Sequence, residues 1–416
     1  MVKRHIYPLR FNQEQLKNRS DIIIVGLYRP GTGFTRLISE LCNSLSSTFQ
    51  IHWIGIGYKG LSRKEDKIKL YPNNLDGGDI YGGFQARALA EKLSADFVLI
   101  VNDLWMLKNY RISLGQTHQY VLAAYVPLDG DVPVDSDLQD LSFFDAFYAY
   151  HFRGINQLRK VHSFADQSIR FNYFYHGINR SHFYPLEDKL KLRNQIFGIQ
   201  YPSNAVFILN ANRINERKNL KCTLTAFKLL TLKVSDSVYL VLHVPETPNS
   251  LIGELKSQLN ALGLPPDRVL INPLGHSYLL EQELNRLYNA CQIGINTSFG
   301  EGWGMVAFEH AATGAAQLVP DHSAPASLWP SELRIKTAES VYLTTNPLRL
   351  KSVDAHHLSA TLVKLVNEPQ ILLRLQRLSM KVAQKPVFQW PVIAEKWTIE
   401  IEEAISNNSS SPPIIN

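Results

Sequence analysis

Twice in this chain, once near the start and once in the last third, an apolar strand runs into a glycine-rich turn and then directly into a helix. Near the start, Ile22-Ile23-Ile24-Val25 lie in a strand over 22–28 that ends in Arg29-Pro30-Gly31-Thr32-Gly33, before a helix over 34–45. In the last third, a strand over 292–296 leads through Gly300-Glu301-Gly302-Trp303-Gly304 into a helix that opens near Met305. An apolar strand feeding a helix through a tight turn is the opening of a parallel sheet, whose strands are covered on both faces. Further strands at 51–56, 97–101, 121–126 and 205–209 alternate with helices at 86–93, 189–197, 220–230 and 281–290. That alternation predicts an α/β fold, and 416 residues exceed what one core usually serves, so two domains are expected.

The second turn also carries chemistry. Glu301 and Glu309 bracket it, and glycines at 300, 302 and 304 permit a sharp bend with exposed amides. A helix start presents about half a positive charge and unsatisfied N–H groups, so Gly304, Met305 and Val306 can hold an anion such as a diphosphate. Gly302 and Trp303 belong to the same loop. Upstream, the strand over 205–209 ends in Asn210-Ala211-Asn212-Arg213-Ile214-Asn215-Glu216-Arg217-Lys218-Asn219. A guanidinium and an ammonium at a strand end, Arg213 and Lys218, suit a leaving diphosphate as its charge builds, with Arg217 a further cation. Taken alone, each segment could instead be a solvated turn.

Together these residues resemble the Glu-x7-Glu and Arg-x4-Lys signatures of retaining glycosyltransferases of the GT-B fold, specifically the large family 4. The resemblance implies two Rossmann-like domains with parallel sheets facing a central cleft, and a C-terminal helix crossing back to the first domain. It implies that Glu301 faces the transferred sugar's hydroxyls and that Glu309 binds the ribose of the nucleotide. Arg213 and Lys218 would grip the diphosphate. Gly31 and Gly33 would lie across the cleft from the phosphates, and the loop Leu274-Gly275-His276 would border the nucleobase. The expected division is a polar lead-in over 1–20, an acceptor domain over 21–183 and a donor domain over 184–385. A crossover helix follows over 386–405, marked by Phe388-Gln389-Trp390, and then a disordered tail over 406–416. The joint falls at the turn-rich 175–185, where His176 reads as a hinge or packing residue.

Two departures qualify the resemblance. Gly31, Gly33 and Arg36 give G-x-G-x-x-R, not the dinucleotide fingerprint, so a dehydrogenase cofactor site is not expected. The family often places a histidine after the strand corresponding to 121–126; here the loop is Pro127-Leu128-Asp129-Gly130-Asp131, leaving Asp129 as the candidate catalytic residue that orients the acceptor. Asp129 and Asp131 also spell the Asp-x-Asp of metal-dependent transferases of the other fold, GT-A. That reading is set aside, because such an enzyme needs neither acid pair nor cation pair and Asp-Gly-Asp is a common turn.

Composition narrows the rest. A hydrophobic content of 45% with 19% charged residues suits a globular protein, and the net charge of +6 is spread over both halves instead of forming a nucleic-acid stripe. No apolar run approaches the ~18 residues that span a bilayer. Cys42, Cys222 and Cys291 stand at no metal-ligand spacing and read as reduced core thiols. A cytoplasmic protein is expected, with peripheral attachment at the inner face of a membrane compatible with the charge. Neither metal nor cofactor is expected, only a nucleotide-sugar and an acceptor that is a sugar, a glycolipid or a small molecule. A GT-B nucleotide-sugar epimerase and a non-catalytic nucleotide-sugar binder remain as alternatives.

Overall fold

The structure is a computed structural model that describes residues 19–164, 168–234, 237–245 and 248–409. Among the described residues, the first sheet has eight strands. They run in the spatial order Arg63–Glu65, Ile68–Pro72, Gln50–Ile56, Asp21–Leu27, Phe97–Val101, Val121–Val126, Ala146–Ala149, Arg170–Tyr173. All neighbours pair in parallel except the antiparallel edge strand Arg63–Glu65. The second sheet has six parallel strands, ordered Val269–Ile271, Val238–Leu242, Val206–Asn210, Ile293–Ile295, Ala316–Pro320, Arg334–Ile335.

The central strand Asp21–Leu27 shows why its apolar run has no polar alternation. Ile22 and Ile24 enter one hydrophobic layer while Ile23 and Val25 enter the other, and all four are inaccessible to solvent. The helix Gly33–Leu45 covers one face, burying Leu37, Leu41 and Leu45 at helical spacing. Its first turn is closed by Thr32, whose hydroxyl accepts from the Thr35 amide.

The last helix, Trp390–Ser409, leaves the second sheet and packs on the first. Trp397 is fully buried there, stacked on Phe174 with ring centroids 3.9 Å apart and edge-on to Tyr125 and Tyr148. Truncating an indole so placed costs about 3–5 kcal/mol. Arg170 adds ion pairs to Glu400 and Glu403. The helix continues to Ser409, so residues 406–409 of the expected tail are helical; Ser406 is held within the helix by a bond to the Glu402 carbonyl. Residues 1–18 of the expected lead-in and 410–416 of the expected tail lie outside the described residues.

Four strands of the first sheet were not anticipated, Arg63–Glu65, Ile68–Pro72, Ala146–Ala149 and Arg170–Tyr173, nor was the antiparallel hairpin Thr337–Leu343/Asn346–Val353. The hairpin joins the two halves: Arg349 and Asp131 exchange backbone hydrogen bonds of 3.0 and 2.9 Å.

Candidate functional site

Between the sheets lies a cavity of about 230 Å³. Its lining comes from just past the C-terminal ends of parallel strands, where open α/β sheets bind ligands. Gly31 and Gly33 follow Asp21–Leu27, Asp129 follows Val121–Val126, and Tyr150 follows Ala146–Ala149. From the second sheet come Asn212, Arg213, Arg217, Lys218, His243, Asn296, and the turn from Glu301 to Val306.

Glu301 is the centre of this arrangement. Its carboxylate accepts from Lys218 Nζ at 2.5 Å, Ser298 Oγ at 2.7 Å, Asn296 Nδ2 at 3.0 Å and Arg217 Nη1 at 3.3 Å, and its own amide donates to Ser323 Oγ at 2.9 Å. Burial alone would raise the Glu301 pKa, but Lys218 and Arg217 hold it well below the usual carboxylate range. Burial lowers the Lys218 pKa, against the pull of Glu301. The carboxylate therefore stays ionised and fixed in place.

Arg217 ties the two halves together. It donates to the Gly300 carbonyl at 2.6 Å and pairs with Asp129 across the cleft at 3.3 Å. Asp129 is buried and also takes a bond from the Gly302 amide; burial raises its pKa against the charge of Arg217. The halves touch so closely that a Cβ at Gly300 would stand 1.8 Å from the Asp129 carbonyl oxygen, which only glycine avoids. Asp103, at the end of the neighbouring strand Phe97–Val101, is pushed up to about 7 by burial and by the charge of Asp129, with Arg217 opposing.

The turn expected to bind an anion is open. Gly304 caps the helix Met305–Ala312 at φ +91°, a left-handed conformation, and no side chain caps that helix. Met305 and Val306 line the cavity. Trp303 also borders it, but its ring is buried, stacked on Phe308 and packed near His176 and Phe388, so it props the loop from beneath.

Other expected residues stand elsewhere. Arg213 is exposed at the cavity's rim, whereas Arg217, read only as an extra cation, lies inside the network. Leu274, Gly275 and His276 line neither this cavity nor its neighbour. Leu274 packs on the core, and His276 turns outward to the Tyr278 carbonyl and to Glu283. The cleft face of that segment is made by Tyr278, Leu279 and Leu284 instead. Asp129 and Asp131 diverge: Asp131 takes bonds from Arg153 at 2.8 Å and Gln157 at 2.6 Å, and those two partners, with His322 nearby, hold its pKa down although its burial opposes this.

Glu309 is also buried, beside an adjoining cavity of about 400 Å³. Its oxygens pair with Arg36 Nη2 at 3.0 Å and accept from the Tyr288 hydroxyl at 3.3 Å. Sequence reasoning passed over Arg36; the arginine ending G-x-G-x-x-R was its only signal. It also passed over Tyr150, which lines the cleft with its hydroxyl buried and without a hydrogen-bond partner among the described residues. His176 is in the same state at both ring nitrogens, and burial pushes its pKa far down, so the ring is neutral.

The architecture can now be set beside solved structures. Sucrose-phosphate synthase from Thermosynechococcus elongatus superposes with a TM-score of 0.73 at 15% identity, over 94% of this chain and all of that one. The α,α-trehalose 6-phosphate synthase of Burkholderia multivorans gives 0.66 at 12% identity, over 96% of this chain and 99% of that one. HepE of Anabaena, solved with UDP and glucose, gives 0.67 at 12% identity, over 92% of this chain and all of that one. These share the two-sheet GT-B architecture. The chain has the GT-B fold. No protein-family model and no curated protein sequence matches it. In this GT-B cleft, Lys218, Arg217 and Glu301 stand on the second sheet, and Asp129, Asp103 and Tyr150 face them from the first. No helix among the described residues is long and apolar enough to cross a membrane.

Proposed function

We propose that the chain is a glycosyltransferase of the retaining, family 4-like kind, moving a sugar from a nucleotide-diphosphate donor to an acceptor hydroxyl without a metal ion. The observation that carries this reading is the buried cluster of Glu301 with Lys218 and Arg217, set beside an uncapped helix N-terminus inside a GT-B cleft. Two cations and a row of amides meet where a diphosphate's charge would grow as it leaves. A carboxylate fixed in its ionised form sits where it can accept hydrogen bonds from sugar hydroxyls.

The bond from the anomeric carbon to the diphosphate oxygen breaks with both electrons going to the leaving group. The acceptor oxygen attacks from that same face, and its proton passes to the departing phosphate. Lys218 and Arg217 stabilise the diphosphate, Arg213 adds charge at the rim, and Glu301 and Asp129 align donor and acceptor. Neighbours described as synthases of sugar phosphates and as a protein solved with UDP and glucose support a nucleotide-sugar donor.

The test is a thermal-shift panel of UDP, GDP and ADP with their sugars, then NMR of the first-formed glycoside from an α-linked donor. An α-linked product is expected. A second reading rests on Asp103, beside Asp129 at the end of Phe97–Val101: its carboxyl, pushed up to about 7 by burial and the Asp129 charge, would be the general base that inversion requires. A β-linked product would establish that reading. Turnover of donor alone, without acceptor, would point to an epimerase.

A further inference from the structure

Arg36 stands on the helix Gly33–Leu45 of the first half and reaches across to the helix Met305–Ala312 of the second, where it pairs with Glu309 at 3.0 Å. It borders both the cleft cavity and the adjoining one, so its guanidinium is a partition between them. Its side chain is only 23% exposed. Among the described residues its Nε is buried without any hydrogen-bond partner. A half-buried guanidinium paired through Nη2 while its buried Nε stands idle is unusual and leaves a donor for a second ligand. On the Glu309 side stand the carboxylates of Glu309 and Glu281 and the neutral Tyr288 phenol, and on the cleft side Gly33 lies about one helical turn before Arg36, with Gly31 just ahead of the helix.

The geometry points to Arg36 as a donor-selecting residue: it occupies Glu309 in the empty protein and is handed to the diphosphate when a nucleotide's diol takes Glu309 over. This rests on the nucleotide-sugar reading given above. A vicinal diol offers two O–H donors but no charge, so by itself it must break a buried ion pair and leave the guanidinium without an anion, which is costly. A diphosphate on the same molecule supplies that anion within the same cleft. The exchange then trades an arginine–carboxylate pair for an arginine–phosphate pair plus a carboxylate–diol contact. Nucleosides are thereby rejected and diphosphorylated nucleotides accepted.

The experiment measures dissociation constants by calorimetry for UDP and uridine, with GDP/guanosine and ADP/adenosine in parallel, on wild type and Arg36→Gln. For the base that binds, Arg36→Gln should weaken the diphosphate about tenfold, the loss of one charge-assisted contact. The same substitution should tighten the nucleoside, because Glu309 is no longer occupied. These effects have opposite sign, which a purely structural role does not produce. Equal tightening of both would show a simple latch and overturn the handover; unchanged affinities would overturn it as well. A crystal structure of wild type with UDP gives a check that needs no variant: Arg36 should sit on the diphosphate and off Glu309, and an intact Arg36–Glu309 pair beside bound UDP overturns the proposal. If wild type binds none of the three diphosphates, the nucleotide-sugar reading falls first and takes this inference with it. Binding with an unaltered ratio in Arg36→Gln refutes only the inference.

Discussion

The two glycine turns that look alike in sequence do different things. At the first, Thr32 closes the helix start: its hydroxyl accepts from the Thr35 amide, while the Thr35 hydroxyl accepts from the Arg29 amide and donates to the Leu27 carbonyl. At the second, Gly304 offers no side chain, and the helix Met305–Ala312 begins uncapped at the cavity wall. One turn is closed by its own threonine hydroxyls, with Arg36 following in the helix. The other leaves its first turn without a side-chain cap at the cavity wall, where the proposed diphosphate would sit. A helix start is thus a binding site or a structural joint according to whether a neighbouring hydroxyl reaches it first.

The largest expected effect comes from breaking the cluster beside the open turn. Glu301→Ala leaves Lys218 and Arg217 buried around a missing carboxylate and should cost about 3–5 kcal/mol in urea unfolding. A loss under about 1 kcal/mol would mean the network contributes little. Next, Arg217→Ala should lower kcat about 10²-fold at saturating donor, the scale for one transition-state contact. Arg213→Ala should lower it far less, since Arg213 lies exposed at the rim. Equal losses in steady-state assays would return Arg213 to the centre of the site.

The pair Asp103 and Asp129 gives a pH signature. Asp103 has its carboxyl raised from an ordinary 3.8 to about 7, so the folded protein binds a proton there that the unfolded chain has already lost. Stability from this group is intact below about pH 4, declines as pH rises, and is fully lost above about pH 7. Asp103→Asn should remove that decline, gaining about 2 kcal/mol at pH 8 relative to pH 4.5, half the full linkage value because the carboxyl keeps solvent contact. Parallel stability–pH curves for the two proteins would exclude the shift.

The turns themselves can then be compared directly. Thr32→Ala should cost about 1 kcal/mol in stability while leaving UDP affinity near wild type. Gly304→Ala forces a Cβ onto a left-handed backbone at about 1–2 kcal/mol and should weaken UDP as well. If Thr32→Ala harmed binding more, the assignment of roles would be reversed. The smallest expected effect is that of EDTA, which should leave activity unchanged; loss restored by Mn²⁺ would bring Asp129 and Asp131 back as ligands despite their diverging partners.

Much of this was legible beforehand because it is local. The strands Phe97–Val101 and Val121–Val126 and the helices Lys189–Phe197 and Glu281–Ala290 have the bounds their patterns suggested. Ala146–Ala149 was missed because four buried residues in a row carry no periodicity. The hairpin Thr337–Leu343/Asn346–Val353 was missed although Asn346–Val353 alternates buried and exposed positions over its first half. In the site, Glu301, Lys218 and Glu309 were marked by their spacing. The engagement of Glu309 by Arg36, the placement of Arg217 ahead of Arg213, and the outward turn of His276 had no such mark.

What the sequence determined by itself was the set of units: strand, glycine turn and helix follow from backbone sterics and from burial on both faces of a parallel strand, within windows of some twenty residues. Which units confront one another was decided by the tertiary structure. Arg36 and Glu309 are separated by most of the chain and meet only because two sheets turn their carboxyl ends toward one cleft, and Asp103 acquires its raised pKa only once the surrounding core partly desolvates it and the charge of Asp129 is brought near. Charge pairing and desolvation depend on distance in space, which no local pattern encodes.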